Sequence, residues 1–96
     1  MRSDTRLELV QLLELIETKL ELLPPLTMEH RPVRRQAIEE LQAHLEQEEG
    51  ASFREVGTST VMRLAGTQSS SVIDAVGAMR NWCFAVRRRI GFGAEQ

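Results

Sequence analysis

The sequence is poor in the residues on which disulfide and metal chemistry depend. Its 96 residues include one cysteine, Cys83, and two histidines, His30 and His44. A single cysteine excludes an internal disulfide framework and a cysteine-based zinc site. The two histidines are not placed, together with a carboxylate, to form one metal-binding helix face. We therefore expect neither a metal nor a cofactor.

Long hydrophobic runs and phosphate-binding glycine loops are also missing. No stretch approaches the roughly 20 apolar residues of a membrane span. The first residues, MRSDTRLELV, have neither the shape nor the cleavage site of a signal peptide. Gly91-Phe-Gly93 is too short to cradle a phosphate. These absences predict a cytoplasmic protein that does not associate with membranes.

The sequence shows no arrangement of residues typical of catalysis. No nucleophile accompanies a base, and no pair of acid and base groups has a recognisable setting. Cys83 lies among regularly spaced apolar residues, where a cysteine behaves as a small buried hydrophobe rather than a nucleophile. We expect a protein that is not an enzyme.

The composition is that of a globular protein, and the charge is unevenly distributed. Hydrophobic residues make up 42% and charged residues 27% of the chain, which suits one domain over residues 1–96. The net charge is −2, but residues 1–50 carry eleven acids and six bases (−5), whereas residues 51–96 carry three acids and six bases (+3). The two halves would attract one another within a fold or between subunits.

Hydrophobic spacing predicts two helices in the first half of the chain. The first covers 5–23, begins at a capping box and ends at Pro24-Pro25, because proline interrupts helical geometry. The second covers 32–48, and the short connection favours an antiparallel hairpin. Its acidic end opposes the helix dipole, so we expect a cation there, with Arg87 to Arg89 as candidates.

The second half is predicted to add a short third helix over 53–65, broken at Gly57, and a long apolar helix over 71–90 that ends at Gly91 and Gly93. The expected fold is therefore all-α, a small bundle of four helices. A narrow stripe at helical spacing defines the last helix: Val72, Val76, Met79, Cys83, Val86 and Ile90, widened by Ala75, Ala78 and Trp82.

Ile73 and Phe84 lie on a different side of this predicted helix, with Arg80 and Arg87 alongside Phe84. An aromatic residue flanked by arginines outside the main core face is typical of an interface hot spot. Cover by the third helix is the competing interpretation. The leading hypothesis is a non-enzymatic interaction or regulatory protein, such as a small inhibitor, adaptor or assembly factor, that binds a protein partner or itself as a homodimer or higher oligomer.

A helix-turn-helix over residues 59–80 is the alternative. It would bind DNA, with phosphate contacts from Arg63, Ser69, Ser70, Arg88 and Arg89. The second helix of this motif is very apolar and has no arginine, lysine, asparagine or glutamine in its first two turns, which disfavours base recognition. A weaker alternative is a small nucleotide held between subunits by the arginines at 87–89 and the serine-rich start of a neighbouring helix.

Overall fold

The computed structural model describes residues 5–91, which form three helices and three strands. In chain order these are α1 (Thr5–Glu21), α2 (Arg31–Glu48), β1 (Ser52–Val56), β2 (Ser59–Leu64), β3 (Thr67–Ser71) and α3 (Ala75–Ile90). The fold is therefore α+β, and the predicted all-α bundle of four helices is wrong. α1 and α2 agree with the predicted helices over 5–23 and 32–48 to within two residues.

The segment predicted as a broken third helix, 53–65, is a β-hairpin. β1 pairs with β2, and β2 pairs with β3, both antiparallel, in the order β1-β2-β3. Two tight turns join them, Gly57-Thr58 and Ala65-Gly66. Gly57, Ala65 and Gly66 have positive φ, as the primed turns of two-residue hairpins require. These glycines therefore reverse the chain between strands and do not interrupt a helix.

The sheet buries one face and exposes the other, as the two-residue period of a strand dictates. Met62 and Leu64 on β2 are buried, whereas Arg63 between them is exposed. Phe53 pairs with Met62 and is partly buried against the core. The outer face carries Arg54, Arg63 and polar side chains of β3.

The predicted last helix, 71–90, begins four residues later than expected. Ser71 still belongs to β3, and α3 starts at Ala75 after Asp74, whose carboxylate accepts a hydrogen bond of 2.9 Å from the Gly77 N–H. Gly91 ends the helix in the left-handed conformation with φ +81°. Gly93, the other predicted stop, lies outside the described residues.

α3 is the central element, between the sheet on one side and α1 on the other. One side of α3 buries Val76, Met79, Cys83, Val86 and Ile90, as the apolar stripe predicted; Val72 precedes the helix and is exposed. Trp82 is fully buried towards the sheet, and its indole N–H donates to the Leu64 carbonyl at 3.1 Å.

Three side-chain hydrogen bonds join α3 to β3 along its length. The Ser69 hydroxyl donates to the Ala78 carbonyl at 2.7 Å. The Asn81 amide donates to the Ser70 carbonyl at 2.7 Å, and the Arg89 guanidinium donates to the Thr67 hydroxyl at 2.6 Å. The start of β3 contacts the end of α3, and the later residues of β3 contact the first half of α3. The two elements therefore run antiparallel, and these bonds fix the rotation of α3 about its own axis.

α1 packs antiparallel to α3 on the face opposite the sheet. The Arg6 guanidinium donates to the Ile90 carbonyl at 2.7 Å, at the start of α1 and the end of α3. α1 contributes Leu13 and Ile16 to the core, and α2 contributes Leu41 and Leu45. Within residues 5–91, no helix combines the length and hydrophobicity that crossing a bilayer requires.

Candidate partner-binding groove

An open groove of about 520 Å³ runs between α1 and α3. α3 forms one wall with Arg80, Phe84 and Arg87, and α1 forms the other with Glu17 and Glu21. Leu20 and Cys83 form its floor, and both are buried. The groove is thus apolar along its base and charged along its rims, the arrangement common to protein interfaces.

Phe84 is the most exposed aromatic side chain in the described part of the protein. Its exposed fraction is 66%, whereas the neighbouring Cys83 is 5% exposed. Arg80 and Arg88 lie four residues before and after Phe84, so helical geometry places both on the same side of α3. Both are exposed. The result is a short surface line of arginine, phenylalanine and arginine, which we call the Phe84 face.

Arg87 is held against the opposite wall of the groove. Its Nε donates to Glu17 Oε2 at 2.9 Å, and its Nη2 donates to Glu17 Oε1 at 2.7 Å. This two-pronged geometry is the most specific form of an arginine–carboxylate pair. The hydrogen bonds to Glu17 raise the pKa of Arg87 above its ordinary value. Arg87 therefore links α1 to α3 and keeps one rim of the groove in place.

Arg80 differs from Arg87 because it forms no hydrogen bond or ion pair with any residue in 5–91. Glu21 on the facing wall also has no ion pair within the same range. The groove consequently carries one satisfied charge pair, Arg87 with Glu17, and one cation beside Phe84 that is free to meet a carboxylate from outside.

Cys83 lies beneath this surface as an unreactive thiol. Burial, and to a smaller extent the Glu17 carboxylate, raise the pKa of Cys83 to about 12, while Arg87 and Arg80 act in the opposite direction. A thiol with that pKa holds almost no thiolate at neutral pH, and the thiolate is the nucleophile. Cys83 is part of the apolar floor.

The structure brings together three of the four residues predicted for the contact face. Arg80, Phe84 and Arg87 line the groove. Ile73 is 81% exposed but belongs to the turn before α3, and it is not part of this groove. The sequence placed it on the helix, and that is wrong because α3 begins only at Ala75.

The residues predicted to contact phosphate do not converge. Arg63 and Ser70 lie on the outer face of the sheet, whereas the Ser69 hydroxyl points the other way, to the Ala78 carbonyl. Arg88 is exposed on α3, and Arg89 contacts Thr67. The helix-turn-helix over 59–80 is wrong, since 59–64 and 67–71 are β-strands and only the last part is helical.

Sequence reasoning missed the α1 wall of the groove, formed by Glu17, Leu20 and Glu21. Leu20 belonged to the apolar stripe of the first predicted helix, and Glu21 to its polar face. Glu17 carried a usable signal, because at 100° per residue it borders the apolar stripe, where a carboxylate can reach a neighbouring helix. Nothing in the sequence indicated which helix that neighbour would be.

Comparison of the chain with models of protein families, with curated proteins and with solved structures finds no match. Within residues 5–91, no group of three or more histidine, cysteine, aspartate or glutamate side chains could hold a metal ion.

Proposed function

We propose that the protein is a non-enzymatic interaction protein whose α1/α3 groove binds an acidic, amphipathic segment of a protein partner. An apolar side chain of that segment packs against Phe84, and a carboxylate pairs with Arg80. The observation that carries the proposal is Phe84, 66% exposed above an apolar floor and between two exposed arginines. The site of action we propose is the cytoplasm, where a single reduced cysteine is usual.

The exposure of the Phe84 ring to water is unfavourable, and a partner that covers the ring removes this cost. Aromatic and arginine side chains dominate the binding energy of protein interfaces, especially where they lie over a pocket that water can leave. A groove between two antiparallel helices suits a helical segment, which would lie along them as a third helix. The unpaired Arg80 favours a segment of negative charge.

The test compares three versions of the protein as baits for partner capture: wild type, Phe84→Glu and Leu22→Glu. Leu22 is a matched control because it is 71% exposed, directly follows α1 and does not line the groove. We expect a partner that is retained by wild type and by Leu22→Glu and is lost, at least tenfold, on Phe84→Glu. Burial of an unpaired carboxylate among apolar groups explains a loss of that size.

The captured protein is then purified and titrated against wild type and Arg80→Glu. Weaker binding to Arg80→Glu, by about three- to tenfold, would support the acidic character of the segment. Equal retention of every captured protein by wild type and Phe84→Glu would show that the groove is not a binding site.

A further inference from the structure

α2 carries its charges in the order that the helix dipole disfavours. Its first turns hold Arg31, Arg34 and Arg35 and no acid, and its last turn holds glutamates and no base. Cations are stabilising at the C-terminus of a helix and anions at the N-terminus. The arrangement in α2 is the reverse at both ends, so charges of opposite sign supplied by another element would stabilise it.

The part of the chain that the structure describes does not supply those counter-charges. Within residues 5–91, no carboxylate lies at ion-pair distance from Arg31, Arg34 or Arg35; Arg34 donates instead to the Pro24 carbonyl at 3.2 Å. At the other end, the nearest base to Glu49 is His44 at 3.7 Å. The arginines at 87–89, which the sequence offered as partners for this end, do not pair with it within residues 5–91. Arg87 contacts Glu17, Arg89 contacts Thr67, and Arg88 is exposed on α3.

The charged ends of α2 belong to one continuous stripe. At 100° per residue, a single side of the helix presents Arg31, Arg35, Ile38, Gln42, Glu46 and Glu49. The end residues of this stripe are exposed, and Ile38 and Gln42 at its centre are partly buried. The charge of the stripe thus changes from basic at one end, through an uncharged centre, to acidic at the other end, over the roughly 27 Å that 18 helical residues span.

A cleft of about 550 Å³ lies beside the basic end of this stripe, between α2 and the first turn of α3. Arg31, Arg35 and Ile38 line it, together with Leu26, which is 79% exposed. Glu39 and Asp74 also border the cleft, so its rim carries both signs of charge around the apolar side chains of Leu26 and Ile38.

We infer that the α2 stripe is the interface of a symmetric dimer, in which the α2 helices of two copies pack antiparallel. With the two-fold axis near residue 40, Arg31 and Arg35 of one copy meet Glu49 and Glu46 of the other. Ile38 meets Gln42 across the axis. Every pair occurs twice, as an isologous interface requires, and Leu26 is covered by the end of the second helix.

The dimer extends the proposed interaction role but does not depend on it, because Phe84 lies on α3 outside the stripe. An interface built on one helix from each chain falls at the small end of the known range, below ~1,200 Å². We therefore expect a dimer that weakens with dilution and with salt, since screening at high ionic strength reduces the attraction between exposed charges.

Two complementary charge-reversed proteins test this interface by sedimentation equilibrium at low salt. One carries Arg31→Glu and Arg35→Glu, and the other carries Glu46→Arg and Glu49→Arg. Each alone should dimerise at least about tenfold more weakly than wild type, because four attractions become four repulsions. An equimolar mixture should recover the dimer mass, since acidic stripes then face basic stripes at both ends.

Glu48→Arg is the matched control for the acidic end. It changes the charge of the same helix turn but lies about 200° from Glu46 by helical geometry, on the other side of α2. It should dimerise like wild type, as should Phe84→Glu. A wild type that stays monomeric at low salt, or a mixture that sediments as the sum of its separate components, would overturn the inference.

Discussion

At the scale of single residues, the most informative side chain is Cys83, because its burial makes the stability of the fold depend on pH. The folded protein keeps the thiol protonated, with a pKa of about 12 against an ordinary value of 9.0. In the unfolded chain the same thiol ionises near its ordinary pKa. Raising the pH above about 9 therefore favours the unfolded chain, because only that state releases the proton.

We expect wild type to lose up to about 1.4 kcal/mol of stability per pH unit between pH 9 and 12 from this residue alone. Cys83→Ala should lack that contribution. Denaturant unfolding of both proteins, followed by far-UV circular dichroism under reducing conditions across this pH range, measures the difference. Parallel pH profiles for the two proteins would contradict the assignment.

Ala65 is a second residue for which the structure makes a testable prediction, because its backbone conformation is unfavourable for alanine. It adopts φ +52° at the first position of the turn between β2 and β3, a conformation that costs an alanine about 1 kcal/mol. Asparagine tolerates this conformation, and Asn-Gly is a preferred pair for such turns. Ala65→Asn should stabilise the protein by about 0.5–1 kcal/mol and raise Tm by roughly 4 °C.

Thr58→Asn is the matched control for Ala65→Asn. It places the same residue in the other two-residue hairpin, at a position that does not have positive φ. It should leave Tm nearly unchanged. Equal shifts for the two substitutions would mean that backbone conformation is not the cause.

At the scale of elements, the contact between the end of β3 and the first turn of α3 depends on Gly77. A Cβ at this position would lie 2.9 Å from the Ser71 Cβ and closer still to its Oγ, inside contact distance. The Ser71 hydroxyl accepts a hydrogen bond from the Ile73 N–H at 3.0 Å and so has little freedom to withdraw. The glycine allows α3 to start directly against the strand.

Gly77→Ala should therefore destabilise the protein by about 1–3 kcal/mol, even though alanine is the better helix former. Ser71→Gly removes the two atoms that would clash with the alanine Cβ, which are the Ser71 Cβ and Oγ. The double variant should be more stable than the sum of the two single changes predicts, by about 1 kcal/mol or more. Additive losses in thermal unfolding would argue against a steric conflict at this contact.

The elements also show which parts of the fold the sequence patterns could predict. α1 and α2 were predictable because their hydrophobic period is regular and proline or glycine ends each of them. The hairpin was not, since Val61 and Met62 are consecutive apolar residues that blur the alternation of a strand, and Ala65 is an unusual residue for its turn. Gly57 and Gly66 then resembled helix breaks.

Only the wall of the groove that α3 forms was predictable from the sequence. The distance of Phe84 from the apolar stripe follows from the 3.6-residue period, and its flanking arginines follow from the sequence. The α1 wall depends on which helix packs beside α3, and this is decided by tertiary contacts such as those of Glu17 and Arg6. The competing interpretation placed the third helix over Phe84, but that segment forms strands that pack on the side of Trp82, and Phe84 stays exposed.

At the scale of the whole molecule, charge is arranged on separate surfaces. The acidic first half and the basic second half of the sequence meet at the Arg87–Glu17 pair, which joins α1 to α3. Arg31, Arg35, Glu46 and Glu49 form a stripe along α2, and Arg80 and Arg88 of α3 flank Phe84. The protein thus offers two surfaces of different character, the stripe that we propose for a second copy and the groove that we propose for another protein.

The two surfaces lie on different helices, the stripe on α2 and the groove between α1 and α3. Self-association through α2 would leave the α1/α3 groove open, so one dimer would present two identical grooves. A partner with two copies of its binding segment would then gain from simultaneous attachment, provided that its linker spans the distance between the grooves.

The position of Trp82 has a practical consequence for all of these measurements. It is the sole tryptophan of the sequence and there is no tyrosine, so the intrinsic emission of the protein reports a single indole. That indole is buried between α3 and the sheet, where its N–H donates a hydrogen bond to the Leu64 carbonyl, and it lies away from the α2 stripe and the α1/α3 groove. Its fluorescence spectrum should stay constant when a partner binds to either surface, and it should shift to longer wavelength only when the protein unfolds.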